Sequence, residues 1–564
     1  MATRQLIECV PNFSEGRDMS VIGQITDAIK AVEGVRLLDV DPGKATNRTV
    51  VTFVGEPEPV IEAAYHAMRV AAQVIDMRTH TGEHPRMGAT DVCPLIPVSG
   101  ITMDETAEWA RKLGARVGGE LGFPVYLYEH AASSPERRNL ASIRAGEYEG
   151  LADKLQDPQW KPDFGEAKFN PQAGATVIGA RDFLVAYNVN LNTTSVRRAN
   201  SVAFDVREKG RVKRSGHPIT GEIVRDEHGE AVREPGMCKA VKAIGWYIGE
   251  YGIAQISMNL TDLSQTSLHE AFEACRTSAR QRGLRVTGSE LVGLVPLRVM
   301  LDAGKYYLKQ QQRSTGIPER EIIHVAVKSL GLDELSPFDP DKKVIEYLLD
   351  ENEGDRLVAR TLTNFAHVTA SESPTPGGGS VSAYVGALGA SLGTMVANLS
   401  SHKRGWDERW AEFSDWAEQG QGLVSELLAL VDADTDAFNA VMAAFRLPKG
   451  TEEEKAVRQD QIQQATRQAI EVPLQVMRAA ERSFTLLSQM VDEGNPNSIS
   501  DAGVGALCAR AAVHGAWLNV QINLPGLKDD AYRDACLREG REIIQRVDEY
   551  ERDIIARVTQ SVQA

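Results

Sequence analysis

From Ser373 to His402 the chain runs 30 residues without one charged side chain. A segment of that length either spans a bilayer or is enclosed by protein, because a helix with no polar face cannot lie on a solvated surface. Its composition separates the two. Gly, Ala and Ser dominate over Leu, Ile and Phe. Small residues recur at Gly386/Ala390, Gly389/Gly393 and Gly393/Ala397, the spacing at which two helices approach closely. The segment reads as a buried, tightly packed helix rather than a membrane span, so the fold must supply other helices to surround it.

The flanking sequence meets that demand. From Lys342 to Ala564 nearly everything has helical period, broken at Pro374–Gly379, Pro448–Thr451, Gly494–Ser500 and Leu524–Lys528. That pattern predicts a helical bundle. The N-terminal part alternates instead. Leu6–Val10, Val35–Asp41, Thr49–Val54 and Val92–Val98 read as strands, with helices over Met19–Val32 and Pro59–Met77. This order, strand-helix-strand-strand-helix-strand, is that of a ferredoxin-like unit. A helix over Met103–Leu121 and a strand over Val125–Tyr128 follow, and Arg144–Ala175 fades into a long ordered loop or lid. A second unit repeats the order with strands at Phe183–Leu191, Ala240–Ile248 and Ile253–Asn259, helices at Val196–Glu208 and Leu268–Gln281, and short apolar runs at Leu284–Val286 and Leu291–Val295. Gly210–Pro235 is a polar excursion within it, and Gly331–Pro340 reads as a linker. The expected fold class is α/β plus all-α: two ferredoxin-like α/β subdomains, residues 1–180 and 181–330, then a linker over 331–341 and a helical bundle over 342–564.

With 564 residues the chain exceeds what one core supports. A formal charge of −16 argues against broad binding of nucleic acid. Local Arg and Lys pockets can still receive small anions. The six cysteines are scattered without a CxxC pair, and the opening MATRQLIECVPNF has no apolar signal-peptide run. A cytoplasmic protein with reduced thiols is expected.

The chemistry-bearing candidates lie in four places. His84 sits in THTGEHPRMGATD (Thr79–Asp91), directly before Pro85 and flanked by Glu83, Arg86 and Asp91. A titrating side chain on a rigid turn before a strand suits a general acid or base. His80, Glu83 and His84 also match HxxEH, the pattern of a metal-dependent hydrolase. Gly82 within it and Pro85 after it work against the helix that pattern needs, so metal-free acid/base chemistry is the better reading. Asp41, at a strand end, and Asp91 could orient the imidazole or stabilise a cation.

The second place is the loop Phe164–Leu184, which combines aromatics and glycines with Lys168 and Arg181; a Phe there could stack on a planar ring. In the third, Gly377, Gly378, Gly379 and Ser380 open the uncharged helix, where free backbone N–H groups can cradle an anion; the tract lacks the GK[ST] ending of a nucleotide loop. In the fourth, Asp432, Asp434 and Asp436 alternate within a helical pattern. A carboxylate in such a cluster can shuttle protons beside a cationic substrate.

These strings resemble the formiminotransferase-cyclodeaminase family, collinearly over almost the whole chain. ECVPNFSEG (Glu8–Gly16), LLDVD (Leu37–Asp41), NRTV (Asn47–Val50), GEHPRMGA (Gly82–Ala89), DVCPLIPV (Asp91–Val98), IRAGEYE (Ile143–Glu149), GATVIGAR (Gly174–Arg181) and GLVPL (Gly293–Leu297) are similar to the transferase half. PGGGS (Pro376–Ser380), LVDADTDAF (Leu430–Phe438) and NVQINL (Asn519–Leu524) are similar to the cyclodeaminase half. The 210–235 excursion departs from the family's animal members.

The resemblance implies transfer of the formimino group of N-formimino-L-glutamate to N5 of tetrahydrofolate. Closure of the product to 5,10-methenyltetrahydrofolate with loss of ammonia would follow. It puts the catalytic histidine on His84 and the acid/base aspartate on Asp434. It puts the folate-binding loop on Gly165, Glu166, Ala167, Lys168, Phe169, Asn170, Pro171, Gln172, Ala173 and Gly174. Tetrahydrofolate would be a co-substrate, with no metal, nucleotide, nucleic acid or membrane required. The carboxylates of both substrates could be received by Arg48, Arg86, Lys168 or Arg181. The expectation is a homo-oligomeric bifunctional enzyme; the competing readings are the metal-dependent hydrolase and a folate-binding scaffold without catalysis.

Overall fold

The computed structural model describes residues 5–44, 46–216, 221–349 and 356–563. It divides into two compact units, Met1–Ala303 with Val327–Leu349, and Gly304–Ala326 with Asp350–Ala564.

The first unit begins with β1 (Leu6–Cys9), β2 (Asn12–Phe13), α1 (Met19–Lys30), β3 (Val35–Gly43), β4 (Arg48–Gly55), α2 (Pro57–Val74), β5 (Thr90–Ser99), α3 (Met103–Glu120) and β6 (Val125–Glu129). Two short helices, α4 (Leu140–Arg144) and α5 (Leu151–Lys154), precede β7 (Thr176–Ala180). Local signals set the boundaries. Asp18 caps α1, Pro57 opens α2, and Thr102 with Glu105 forms a capping box on α3. β3, β4, β1 and β5 pair antiparallel in that spatial order, the ferredoxin-like arrangement. β7 and β6 then extend the sheet in parallel beyond β5.

Strand alternation gives this sheet two different faces. Val51 and Phe53 join Ile25, Ala64 and Leu113 in the core beneath α1–α3. On the face opposite α1–α3, register aligns Glu8 with Val54, and both Asn12 and Asp41 with Val50, two residues from Arg48. That polar face carries part of the first site.

The second sheet follows from β8 (Val185–Leu191), α6 (Val196–Val206), the strand pair β9 (Arg211–Val212) and β10 (Arg233–Glu234), β11 (Val241–Ile248), β12 (Ile253–Leu260), α7 (Leu268–Gln281) and β13 (Val286–Val292). Its order β11-β12-β8-β13, all antiparallel, repeats the first topology. β9 and β10 account for the polar excursion, of which 217–220 lie outside the described residues.

Two expectations are corrected. The strand β7 lies inside what reads as loop, because TVIGA is a short apolar run, buried throughout, with no alternation to mark it. The linker expected at 331–341 is packed. Leu332 is buried, the Gly331 carbonyl accepts from the Ser289 N–H at 3.0 Å, and Glu334 accepts from Asn190 at 2.6 Å.

Helices α8 (Leu297–Gln310), α9 (Glu319–Leu330), α10 (Pro340–Lys343) and α11 (Ile345–Leu349) close the first part of the chain. The segment Gly304–Ala326 belongs with the helices that follow, where Thr315 Oγ1 meets Ser414 Oγ at 3.0 Å and Lys305 pairs with Glu418 at 2.8 Å.

The helical unit comprises α12 (Leu362–Thr369), α13 (Gly378–Ser401), α14 (Trp410–Arg446), α15 (Glu452–Glu493), α16 (Ile499–Asn523) and α17 (Asp530–Gln563). The uncharged segment is α13, and it packs against α14, α15 and α16. It is long and apolar enough to cross a membrane, yet 61% of its most apolar window is buried within the unit. Its glycines are contact points: a Cβ on Gly389 would lie 2.8 Å from the Gly505 carbonyl, and one on Gly393 would lie 3.1 Å from Leu486. Leu388, Met395 and Leu399 remain exposed along one side of α13, as do Val504 and Leu507 on α16.

Candidate active sites

The His84 turn connects α2 to β5 without helical structure. Gly82 makes this possible, since a Cβ there would sit 2.2 Å from the Thr46 carbonyl. Asn47, in the left-handed region at φ 48°, is the hub. Its side chain accepts from Gly16 N–H at 3.0 Å and donates to the Thr81 carbonyl at 3.0 Å. His80 Nε2 donates to the Asn47 carbonyl at 2.9 Å, while its Nδ1 accepts from Arg86 Nε at 3.2 Å. Both ring nitrogens of His80 are thus engaged in holding the turn, and it does not converge with Glu83 and His84 as a metal-ligand set.

His84 Nδ1 lies 2.7 Å from the Pro85 carbonyl and 2.8 Å from Nη1 of Arg48, which also lies against Nε2. A guanidinium can only donate, so the ring beside it offers it a lone pair and is neutral. Burial, then the charges of Arg48 and Arg144, push the imidazole down to about 2. This ring is thus held as the free, neutral imidazole. Arg48 is itself pushed down to about 10 by burial and by Arg144, against Asp91 and Asp41. Among the described residues no carboxylate lies within ion-pairing distance of it.

The other candidates fall as follows. Asp41 does not orient the imidazole; its carboxylate accepts from the Gly293 N–H at 3.2 Å and acts on Arg48 through space. Arg86 is not free to receive a substrate. Its guanidinium pairs with Glu149 at 2.6 Å and Glu147 at 3.2 Å and donates to the His80 carbonyl, which makes it a brace. Beside it, Thr81, Gly82, Gly146, Glu147 and Glu149 line a cavity of about 440 Å³. Arg181 lies by buried Glu8, and Lys168 is solvent-exposed.

The Gly165–Gly174 loop is joined to the histidine turn. Ala89 N–H donates to Ala173 O at 2.8 Å and Ala175 N–H to Met87 O at 3.1 Å. Gly174, at φ +69°, permits this, since a Cβ would meet the Met87 carbonyl at 2.2 Å. Gly165, Glu166, Ala167 and Lys168 are exposed, and Phe169 packs against Tyr148 with ring centroids 5.4 Å apart.

In the helical unit, Asp434 on α14 meets the first turn of α13. Ser380 Oγ donates to Asp434 Oδ2 at 3.0 Å and lies 3.3 Å from Thr435 Oγ1. Burial pushes the Asp434 carboxyl above its ordinary range, partly offset by the Ser380 hydrogen bonds. Gly379 has no side chain because the carboxylate occupies that space, with Oδ1 2.1 Å from where a Cβ would be. The tract Gly377, Gly378, Gly379 and Ser380 is therefore not a vacant anion cradle: the protein's own carboxylate fills it, and a second anion would be repelled. Asn519 on α16 approaches Gly378, its Nδ2 3.2 Å from that Cβ position. Asp432 accepts from Leu357 N–H at 2.6 Å, and Asp436 is exposed, so the aspartates have separate surroundings.

Sequence reasoning missed Arg144, which pairs with buried Asp91 at 2.5 Å, and the bracing roles of Asn47, Glu147 and Glu149. The string IRAGEYE contained three of them, but nothing within it shows what they touch.

Residues 6–181 match a family described as the formiminotransferase domain, N-terminal subdomain; 186–350 match the formiminotransferase domain, and 361–542 match formiminotransferase-cyclodeaminase. A formimidoyltransferase-cyclodeaminase of Mus musculus is 44% identical over 94% of each chain. A glutamate formimidoyltransferase of Thermoplasma acidophilum is 42% identical over 57% of this chain and 98% of its own. The crystal structure of formiminotetrahydrofolate cyclodeaminase from Thermotoga maritima is 28% identical with a TM-score of 0.31, covering 36% of this chain and 96% of that one.

Proposed function

This chain belongs to the formiminotransferase-cyclodeaminase family, and we propose from that premise how its residues divide the chemistry. The protein is a bifunctional enzyme of histidine degradation and folate one-carbon metabolism, with glutamate formimidoyltransferase and formiminotetrahydrofolate cyclodeaminase activities. Its substrates are N-formimino-L-glutamate and tetrahydrofolate, polyglutamylated forms of the latter included.

In the first reaction, N5 of tetrahydrofolate attacks the amidinium carbon of N-formimino-L-glutamate. His84 Nε2 takes the N5 proton and returns it to the departing glutamate nitrogen. The observation that carries this assignment is the buried, neutral ring of His84 with the guanidinium of Arg48 against it. Arg48 receives a substrate carboxylate, which draws it from the imidazole and offsets the charge of the transient imidazolium. Asp41 tempers the charge of Arg48. The loop from Gly165 to Gly174 receives the folate, with Phe169 beside the ring.

In the second reaction N10 attacks the same carbon, and the N5–C–N10 bridge forms as the C–NH₂ bond breaks. Asp434 takes the N10 proton and delivers it to the leaving nitrogen, which departs as ammonia. A carboxyl held above its ordinary range is suited to giving that proton back. Ser380 fixes its orientation. No step calls for a metal or a nucleotide. Six free cysteines, with Cys9 and Cys93 sulfurs 3.4 Å apart and unbonded, support a reducing, cytoplasmic setting. The exposed leucines of α13 support a homo-oligomer.

His84→Ala is expected to abolish glutamate release while supplied 5-formiminotetrahydrofolate still closes to the methenyl product. Asp434→Asn is expected to do the reverse, and chelation to change neither. Full glutamate release by His84→Ala would refute the first assignment; full closure by Asp434→Asn would refute the second.

A further inference from the structure

The segment Ile143–Glu149 has no role in the reaction as derived, yet it touches both parts of the transferase site. Arg144 stands at the end of α4. Its Nε and Nη2 reach the two oxygens of Asp91 at 3.2 and 2.5 Å. Asp91 is fully buried, and the same carboxylate accepts the Met87 N–H at 3.0 Å, three residues beyond His84. Arg144 is held in turn. Lys154 Nζ donates to the carbonyls of Ser142, Ile143 and Ala145 at 3.2, 2.5 and 2.9 Å, closing the last turn of α4, and sits 4.2 Å from the Trp160 ring. A lysine spent on three carbonyls around residue 144 fixes where that guanidinium can be.

We propose that Arg144 is a positioning residue of the transferase site: by gripping Asp91, whose carboxylate also holds the Met87 N–H, it fixes the His84 turn and the surroundings of the imidazole. The inference rests on His84 being the proton carrier. The charged groups around the imidazole are Arg48 from β4 and Arg144 from α4, with Asp91 at the start of β5 and Asp41 on β3 acting on Arg48. Asp91 is already bound to Arg144, and Asp41 to the Gly293 amide. The carboxylates of a substrate are therefore the groups able to offset the guanidinium charge of Arg48. Their arrival raises the proton affinity of His84 at the moment N5 must be deprotonated.

The test is a titration of His84 in the full-length protein labelled with ¹³C at histidine Cε1, the signal being assigned by its loss in His84→Gln. Arg144→Gln combined with Asp91→Asn removes both charges without leaving a buried carboxylate unpaired. In that double variant the His84 midpoint is expected to rise by about one unit or more, a tenfold gain in proton affinity. The acid limb of the kcat/KM profile for glutamate release is expected to move with it. Arg144→Lys keeps the charge but not the two-point grip, so the midpoint stays low while kcat falls. Glutarate, as a probe of the substrate's carboxylates, raises the midpoint of the unmodified protein. An unmoved midpoint in the double variant overturns the proposal, whatever happens to activity. Retained transferase activity in His84→Ala would instead overturn the reading beneath it and leave the titration result standing.

Discussion

The three glycines at the start of α13 make a graded prediction, because each meets a different neighbour. A Cβ on Gly379 would lie 2.1 Å from Asp434 Oδ1 and 2.5 Å from its Cγ, where real Cβ contacts do not fall below 3.0 Å. Asp434 must therefore retreat by about 1 Å or α13 must shift by as much, an overpacking that costs about 1–3 kcal/mol. The retreat breaks the 3.0 Å hydrogen bond from Ser380. That bond ends on a carboxylate and contributes about 1.5–3 kcal/mol. A displacement of about 1 Å at a proton-transfer group costs on the order of a hundredfold in rate, or about 2.7 kcal/mol of barrier. By contrast, a Cβ on Gly378 meets Asn519 Nδ2 at 3.2 Å, and one on Gly377 finds only the Pro374 carbonyl at 3.8 Å. Gly377 has φ −103°, which alanine adopts without strain. In a single reaction following glutamate release and methenyltetrahydrofolate absorbance, Gly379→Ala should lower methenyl formation about a hundredfold with glutamate release unchanged. Gly378→Ala should cost a few-fold, and Gly377→Ala nothing. Equal damage at Gly377 and Gly379 would refute the reasoning, since it would mean that the tract acts as a flexible or anion-binding loop rather than as room for Asp434.

Two further outcomes follow from other parts of the molecule. Glu8 is 4% exposed, and burial pushes its carboxyl up to about 7 against the pull of Arg181. Below pH 4.5 folded and unfolded chains are both protonated there; between pH 4.5 and 7 only the unfolded chain ionises, so stability falls as pH rises and the loss is complete above 7. Glu8→Gln should accordingly raise thermal stability at pH 8 by about 1–3 kcal/mol and leave it unchanged at pH 4, as calorimetry at the two pH values would show. For the proposed homo-oligomer through the α13 surface, the unmodified chain should sediment above 61.6 kDa and Leu388→Asp with Leu399→Asp at 61.6 kDa; a monomeric unmodified chain or an unaltered oligomer would refute that surface as the interface.

The long periodic elements were legible because period and order are properties of a single stretch of chain. Both ferredoxin-like units could be traced from where apolar period two gives way to period 3.6, and α13 from its lack of charge. What escaped depends on partners far away in sequence. Arg86 reads as a substrate receiver beside His84 until Glu147 and Glu149 close on it. The glycine tract reads as an anion cradle until Asp434, 54 residues past Ser380, fills it. The segment 331–340 has the composition of a linker, but Leu332 and Glu334 find partners on the second sheet that composition cannot reveal. His84 was legible as a candidate acid or base; its state was not, because that depends first on burial and then on Arg48 and Arg144.

One physical cause, burial, acts first on both proposed proton carriers and prepares them for different starting states. Removing water disfavours whichever form is charged. For a histidine that is the acid, so His84 rests as the free imidazole, with its lone pair available but its proton affinity low. For an aspartate it is the base, so Asp434 is displaced toward its acid, the form that protonates the leaving nitrogen. Each site must then counter its own bias once per turnover. The first needs negative charge to stabilise an imidazolium, and the carboxylates of its substrate bring it. The second needs a cation to favour the carboxylate, and the formimino carbon, already part of an amidinium, brings that. In both sites the substrate supplies the charge that burial has withheld. On this account uncharged analogues should fail at the proton transfer, in kcat, and not only in binding.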